Sequence, residues 1–266
     1  MNPVEVECGG GPVILGLPHT GTFVPKDIAA RLSPRGTELA DTDWHVDRLY
    51  KGLLPDLTTV RATFHRYVID ANRDPSGASL YPGQNTTGLV PQTDFDDDAI
   101  WSVAPTADEV EVRRAAFHAP YHEALREEIE RVRGNHGVAI LYDCHSIRSH
   151  IPFLLEGVLP DFNIGTNGGV TCAPGIEAAV TGICAAASGY SSVLNGRFKG
   201  GWTTRHYGQP AAGVHAIQME LAQSTYLTSE AAPWTYDTTK SDRLRNFLSE
   251  ILNTLADLAP ALGGAR

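Results

Sequence analysis

Short runs of apolar residues recur along the chain and alternate with stretches of helical periodicity. The runs have the length of buried strands, and they occupy residues 13–17, 58–62, 67–69, 137–142, 192–194 and 214–221. Helices that alternate with such strands pack against a shared central sheet. The pattern therefore predicts an α/β fold built in layers.

Two stretches have the periodicity of long helices. The first begins with the capping-box sequence TADE at residues 106–109 and continues at helical spacing toward Gly134. Pro120 lies inside this stretch and removes a helical hydrogen bond, so we expect a kink or a break there. The second stretch follows Ser241, and the apolar positions within 244–255 predict a C-terminal helix that packs on the core.

Segments rich in glycine, proline, asparagine and aspartate separate these elements. Residues 74–105 show little periodicity, and a loop of that length in a compact enzyme often has a function. We also interpret the glycine-rich segments 163–175 and 195–213 as loops. Because no repeat and no clear linker divides the chain, we expect residues 1–266 to form a single domain.

Composition and charge narrow the range of partners. The 266-residue chain is 42% hydrophobic and 20% charged, a normal balance for a globular domain. Its net charge of −10 argues against nucleic acid as a partner, because nucleic-acid binding depends on lysine and arginine at phosphates. A local cluster of arginines could still bind a small anionic substrate. The sequence carries no signal for an oligomeric state.

Targeting and cysteine signals are weak. The N-terminal residues lack a basic and apolar leader, and no stretch approaches the roughly 18 apolar residues of a membrane span, so we expect a cytoplasmic protein without a membrane partner. The cysteines show no C-x-x-C spacing and are expected to be free thiols; they are Cys8, Cys144, Cys172 and Cys184. Strand alternation would direct Cys144 to the face opposite its polar neighbours.

The segment LYDCHSIRSH at residues 141–150 places several polar side chains directly after an apolar run. Ligands of open α/β sheets bind at the carboxyl ends of strands, so His145 is a candidate metal ligand. Asp143 lies two positions earlier, can share the same face and could orient the imidazole. The alternative is a buried histidine that donates to a backbone carbonyl.

Two further segments offer metal ligands. His19 follows the first apolar run and precedes a turn at Gly21, and an exposed turn histidine is the alternative. The segment DTDWHVD contributes the carboxylates of Asp41, Asp43 and Asp47, interleaved with apolar residues that would bury one face. Its alternative is a helix N-terminus capped by aspartate.

Groups for substrate binding and proton transfer also follow apolar runs. Arg73, next to Asn72, could bind a carboxylate through two parallel hydrogen bonds. A structural pair of Arg73 with Asp70 or Asp74 is the alternative. Glu220 interrupts the last apolar run, where an unpaired carboxylate is costly, so a functional carboxylate is the better explanation.

Two imidazoles and a carboxylate fit a mononuclear Zn²⁺ site with one open position, and a further carboxylate can act as general base. His118 and His122 form a rival pair at i, i+4. Pro120 lies between them and no glutamate follows His118, so the pair differs from the H-E-x-x-H motif. The chain has neither a G-x-S-x-G elbow nor a Walker-type loop, which argues against serine hydrolases and P-loop proteins.

Several segments together resemble the N-formylglutamate amidohydrolases: PHTGTFVP, DTDWHVDRLY, RYVIDANR, YDCHSIRSHIPFL, LNGRFKGGWTTRHYGQP and VHAIQMELAQSTYL. The resemblance extends from about residue 12 to about residue 230. A more distant similarity is to zinc carboxypeptidases and aspartoacylases. These resemblances imply a three-layer α/β sandwich with a mixed central sheet, the phosphorylase/hydrolase-like fold of the zinc carboxypeptidases.

The resemblance implies hydrolysis of the formamide of N-formyl-L-glutamate to formate and L-glutamate in histidine degradation. It also implies one Zn²⁺ per chain, or another divalent metal. The carboxypeptidase motif H-x-x-E is not intact, because Thr22 stands three positions after His19. The remaining ligand must come from elsewhere, and we choose Asp43, with Asp41 and Asp47 as alternatives.

The resemblance assigns further roles. They are metal ligation by His19, Asp43 and His145, general-base catalysis by Glu220, ligand orientation by Asp143, and substrate binding by Asn72, Arg73 and Arg205. Some residues in the same motifs receive no role, namely Arg148, Arg197, His150 and His206. The alternatives are a related zinc hydrolase of another N-acyl amino acid and a non-catalytic protein that binds a dicarboxylate or a metal.

Overall fold

A mixed sheet of seven strands forms the centre of the computed structural model, which describes residues 2–79 and 86–263. The strands are β1 (Val4–Glu7), β2 (Val13–Leu17), β3 (Thr58–Ala62), β4 (Ala139–Ile147), β5 (Phe162–Gly165), β6 (Ser192–Leu194) and β7 (Val214–Ala222). Their order is β1-β3-β2-β4-β7-β5-β6. The four strands β3, β2, β4 and β7 are parallel, and β1 and β5 pair antiparallel with β3 and β7.

Helices surround this sheet. They are α1 (Lys26–Ala29), α2 (Val46–Tyr50), α3 (Ala107–Arg113), α4 (Ala119–His136), α5 (Pro174–Ala186), α6 (Trp202–Tyr207) and α7 (Thr238–Leu262). Short 3-10 turns lie at Gly36–Glu38, Pro210–Ala212 and Gln223–Thr225. The helix predicted after Ser241 corresponds to α7, whose apolar positions face the core as expected for an amphipathic helix.

Alternation along β4 divides its side chains between the two faces of the sheet. Ile140, Tyr142 and Cys144 are buried in one apolar cluster with side chains of α5 and α7. Leu141 is buried in a second cluster with side chains of α4. Helices therefore cover both faces, which confirms the predicted layered α/β fold. Cys144 lies on the face opposite Asp143, as expected.

The two central strands β4 and β7 pair along their whole lengths. The apolar run predicts that β4 ends at residue 142, whereas the strand continues to Ile147. Every residue of both strands is buried, and hydrogen bonds to a buried neighbour extend β4 through its polar residues. The register places His145 directly opposite Glu220. His145 and Glu220 thus lie inside strands and not in the loops that follow them.

Four short segments differ from the predictions. Periodicity does not reveal β1 and β5, because four residues give little alternation, and β5 lies partly in a segment interpreted as a loop. Residues 67–69, predicted as a strand, instead lie in and directly after a turn at residues 66–68, in which the Val68 amide donates to the His65 carbonyl at 2.9 Å. Their side chains are buried, so the apolar run here indicates burial alone. Helix α6 also lies within a predicted loop, 195–213.

Helices α3 and α4 are separated by a π-helical turn at Arg114–His118. Pro120 lies at the start of α4 and lacks the N–H that would bond four residues back, so the predicted irregularity takes the form of this turn. The predicted capping box is present. The Glu109 amide donates to the Thr106 hydroxyl at 3.3 Å, and the Thr106 amide donates to the Glu109 carboxylate at 2.7 Å.

The long segment 74–105 contains neither a helix nor a strand in its described parts, 74–79 and 86–105. Residues 80–85 of the predicted loop lie outside the described residues. Thr86, Thr87 and Phe95 from this segment line a cavity that His145 and Glu220 also line. Across 2–79 and 86–263, none of the helices combines the length and apolar character needed to cross a bilayer.

Candidate metal centre

The parallel strands β2, β4 and β7 end at one edge of the sheet, and a cavity lies there beside the segment that follows β3. Such an edge is the usual place for ligands in open α/β sheets. The cavity walls include His19, Arg66, Asn72, Arg73, Phe95, His145, Ser146, Leu154, Arg197, Phe198, Gln218 and Glu220.

Three buried side chains converge at the base of this cavity. The Nδ1 atoms of His19 and His145 lie 3.1 Å apart, and the Oδ2 atom of Asp43 lies 3.2 Å from His145 Nδ1 and 3.7 Å from His19 Nδ1. Ligand atoms about 2.0–2.1 Å from a tetrahedral Zn²⁺ are separated by about 3.3 Å. The group therefore has the donor types and the spacing to hold a divalent metal ion.

Local structure fixes each of the three positions. His19 lies two residues after β2, and its carbonyl accepts the Asp43 amide at 3.1 Å. The Asp43 carboxylate in turn accepts the Ser146 amide of β4 at 3.1 Å. Gly21 follows His19 where the chain runs against the end of β3, and a Cβ there would lie 2.4 Å from the Thr63 carbonyl carbon. Glycine is therefore required for this close approach.

The outer nitrogen of each histidine faces a buried carboxylate. His19 Nε2 lies 2.7 Å from Asp70 Oδ1, and His145 Nε2 lies 3.1 Å from Asp143 Oδ1. For His19, a proton on Nε2 would leave the lone pair on Nδ1, the nitrogen that faces the group, as in carboxylate–histidine–metal triads. The Thr204 hydroxyl donates to the other oxygen of Asp143 at 2.9 Å. Asp143 is therefore within ion-pair distance of His145, whose Nε2 also lies 3.0 Å from the Asn72 amide nitrogen.

The carboxylates around the cluster favour a positive charge. Burial alone lowers the pKa of His145, but the carboxylates of Asp143 and Asp43 raise it well above its ordinary value. Burial alone raises the pKa of Asp70, but Arg73 and His19 hold it well below its usual range. Ionised carboxylates that raise the pKa of an imidazole also attract a metal ion, because both processes place positive charge beside them.

The structure distinguishes the three aspartates that the sequence offers as the remaining metal ligand. Asp43 lies in the convergent group. Asp41 is buried elsewhere and accepts the Phe95 amide at 3.2 Å. Asp47 is exposed on α2. Alternation of acidic residues in DTDWHVD does not distinguish them, because residues 41–45 form an irregular turn and α2 begins only at Val46.

Arg66 is a member of the site that periodicity does not indicate. Its side chain is buried, its Nη2 contacts His19 Nδ1, and the same nitrogen lies 3.5 Å from Asp43 Oδ1. Burial alone lowers its pKa, whereas Asp70 and Asp43 raise it. The only signal in the sequence is its place in the motif RYVIDANR. Arg66 thus brings a fixed positive charge to the metal centre.

Glu220 lies beside the metal group on β7 and is only 7% exposed. The Gln218 amide donates to Glu220 Oε2 at 3.1 Å, and Gln218 Oε1 accepts the Gly201 amide at 2.6 Å. Burial raises the pKa of Glu220 to about 7, although His145 opposes this shift. A carboxylate with such a pKa can both accept and return a proton near neutral pH.

Asn72 and Arg73 form part of the cavity wall. The Asn72 amide lies 3.0 Å from His145 Nε2, and its oxygen accepts the Thr203 amide at 2.9 Å. Arg73 donates from Nε to the Thr87 carbonyl at 2.9 Å and from Nη2 to the Thr87 hydroxyl at 2.8 Å. The guanidinium is therefore held in one orientation by the long loop.

Arg205, to which the resemblance assigns substrate binding, and Arg197, to which it assigns no role, differ in their relation to the cavity. Arg205 is absent from the lining of the cavity, and its Nε donates to the Gly200 carbonyl at 2.8 Å. Arg197 lines the cavity and donates from Nε to the Leu154 carbonyl at 2.9 Å. Both residues belong to the motif LNGRFKGGWTTRHYGQP, and the sequence alone does not show which one faces the substrate.

The other candidate side chains lie outside the metal group. His118 and His122 bond to backbone carbonyls. His45 bonds to the Trp234 carbonyl at 2.9 Å. Arg148 pairs with Asp96 at 2.9 Å. The rival i, i+4 histidine pair is therefore occupied by hydrogen bonds to the main chain.

The fold and the site define an α/β protein with a buried candidate metal centre and an adjacent acid–base carboxylate. Residues 11–227 match the family model described as N-formylglutamate amidohydrolase. The chain is 45% identical over 251 residues to an N-formylglutamate deformylase of Pseudomonas aeruginosa, with 93% of each chain covered. It is 44% identical over 248 residues to an N-formylglutamate deformylase of Pseudomonas putida, with 92% of each covered.

A solved structure agrees with this result. The N-formylglutamate amidohydrolase of Ralstonia eutropha JMP134 superposes with a TM-score of 0.81 at 26% sequence identity, covering 98% of this chain and 99% of that one. The protein therefore belongs to the N-formylglutamate amidohydrolase family. This membership confirms the resemblance, the fold class and the expectation of an amidohydrolase.

Proposed function

We propose that this protein hydrolyses the formamide bond of N-formyl-L-glutamate to formate and L-glutamate. The observation that carries the proposal is the buried His19–Asp43–His145 group beside Glu220, in a cavity that arginines also line. Relatives named N-formylglutamate deformylase, at 45% and 44% identity, support the choice of substrate. The proposal includes one zinc ion per chain and a cytoplasmic role in histidine degradation.

Glu220 is the general base of the proposed reaction. A divalent ion held by His19, Asp43 and His145 would supply Lewis-acid chemistry that makes water more acidic and polarises a carbonyl. Glu220 accepts the proton of the attacking water and returns it to the nitrogen of the departing glutamate. The C–N bond of the formamide breaks as the new C–O bond is retained in formate.

Arg66 stabilises the negative charge that develops on the formyl oxygen. Its guanidinium is buried, positively charged and in contact with His19, so it lies at the metal centre before the substrate arrives. A charge fixed in place in a buried site requires little reorganisation during the reaction, and such groups contribute strongly to catalysis.

Arg73 and Arg197 bind the two carboxylates of the substrate. Both line the cavity, and both guanidinium groups are anchored to backbone carbonyls of neighbouring loops. In this proposal Arg197 replaces Arg205, to which the resemblance assigned substrate binding, because Arg205 is absent from the cavity wall. Two separated arginines explain how an acidic chain accommodates a doubly negative substrate.

Steady-state kinetics on related substrates test the proposal. We expect kcat/KM of the zinc-loaded protein for N-formyl-L-glutamate to exceed that for N-acetyl-L-glutamate and N-acetyl-L-aspartate by at least about tenfold, the usual scale for discrimination of one carbon. Equal values for the three substrates would contradict the assignment and favour a hydrolase of other N-acyl amino acids.

A further inference from the structure

Two histidines outside the metal group hold the turn that carries Asn72 and Arg73. His118 Nε2 lies 3.0 Å from the Arg73 carbonyl, and His122 Nε2 lies 2.7 Å from the Ala71 carbonyl. A carbonyl only accepts hydrogen bonds, so each Nε2 carries the proton. The two bonds therefore hold the main chain on both sides of Asn72.

The imidazoles are themselves held in place by aromatic neighbours. His122 Nδ1 lies 3.1 Å from the Tyr207 hydroxyl, which leaves no ring nitrogen of His122 for another ligand. The Trp202 ring packs against both imidazoles, with centroid distances of 5.7 Å to His118 and 4.6 Å to His122. Burial lowers the pKa of both histidines, so they act as neutral donors.

The opposite side of Asn72 is confined by α6. A Cβ at Gly201 would lie 2.2 Å from the Asn72 amide nitrogen, and the Thr203 amide donates to the Asn72 oxygen at 2.9 Å. The π-helical turn and α4 thus contact this turn on one side, and the start of α6 contacts it on the other. Since Asn72 reaches His145 and Arg73 lines the cavity, a displacement of this turn would change the binding site directly.

We propose that His118 and His122 are positioning residues, which hold Asn72 and Arg73 in the orientation that binds a substrate carboxylate. This inference rests on the proposed function, because it assumes that Arg73 contacts the substrate. Neither histidine touches the metal group. Their effect should therefore appear in substrate binding and depend on the carboxylate that Arg73 recognises.

Variants of His118 test the proposal. We expect His118→Leu and His118→Asn to raise KM for N-formyl-L-glutamate about tenfold, the scale of one lost buried hydrogen bond, and to change kcat less than about threefold. Asparagine is too short to reach the Arg73 carbonyl. His118→Gln places an amide donor near the position of Nε2 and should restore KM to within about threefold of wild type. His206→Leu is the matched control, since His206 stacks on Trp202 at 4.3 Å.

Substrate analogues separate positioning from a general structural role. N-formyl-L-glutamine and 4-formamidobutanoate each lack one carboxylate, and Arg73→Ala identifies which of them has lost the group that Arg73 binds. We expect the KM effect of His118→Leu to vanish with that analogue and in the Arg73→Ala background. An equal effect on all three substrates, or a His118→Gln variant as impaired as His118→Leu, would overturn the positioning role.

The same measurements distinguish the inference from the proposed function. Wild-type turnover of N-formyl-L-glutamate is measured first, and its absence overturns the proposed function together with the inference. If wild-type turnover is normal but His118→Leu raises KM equally for all three substrates, the positioning role alone is overturned. Metal content should equal that of wild type in each variant, because the histidine ligands and Asp43 are unchanged.

Discussion

The two buried histidines of the candidate metal centre show which contacts the spacing of residues in the sequence can predict and which it cannot. Asp143 could be predicted as the partner of His145, because alternation along a strand brings residues two positions apart to the same face. Asp70 is the partner of His19 from 51 positions away, and no local spacing predicts that contact. The contact between Arg66 and His19 also joins distant positions, so local spacing does not predict it either. The long-range pairs depend on how the segment after β3 folds back against β2.

Asp70 provides a prediction at this scale. Asp70→Asn should lower the metal affinity about 10–100-fold, because the amide no longer fixes the His19 tautomer or increases its basicity. Competition with a fluorescent chelator measures the dissociation constant. Asp257→Asn, on the exposed face of α7, is the control and should match wild type. Equal metal affinity for Asp70→Asn and wild type would contradict a ligand-orienting role for Asp70.

The end of β4 and its register with β7 could not be predicted from the sequence of either strand alone. The apolar run before Asp143 predicts β4, but it predicts an end at residue 142. Pairing with β7 overrides the polar character of the next residues and carries the strand to Ile147. This register, which sets His145 against Glu220, is a property of two strands and cannot be obtained from either one. The π-helical turn before Pro120 is, by contrast, a local irregularity that proline does predict.

The start of α6 gives a prediction at the scale of elements. Gly201→Ala should reduce kcat/KM at least about tenfold, because a methyl group 2.2 Å from the Asn72 amide must displace that side chain. Gly182→Ala is the control within α5, where a Cβ meets nothing within 4 Å. It should keep wild-type activity and gain roughly 0.5–1 kcal/mol in the free energy of unfolding. Wild-type activity of Gly201→Ala would show that α6 does not constrain Asn72.

At the scale of the whole molecule, charge is distributed unevenly. The chain carries a net charge of −10, yet Arg66, Arg73 and Arg197 all line one cavity. Composition predicts an anionic small-molecule ligand only in general terms, and the motifs supply the specific substrate. The layered α/β class follows from periodicity, whereas the strand order follows from contacts between distant segments. Contacts between distant segments also determine that Arg197, and not Arg205, lines the cavity.

The central claim is that a divalent metal and the buried carboxylate of Glu220 together hydrolyse N-formyl-L-glutamate. The most direct test measures bound metal and turnover for wild type, Glu220→Gln and the exposed control Glu250→Gln, each stripped with a chelator and reloaded with Zn²⁺. We expect stripped wild type to lose turnover and regain it with zinc. Reloaded Glu220→Gln should bind one ion per chain but turn over at least about 100-fold more slowly, the scale of a lost general base. Wild-type turnover by Glu220→Gln, or full turnover by metal-free protein, would contradict the claim.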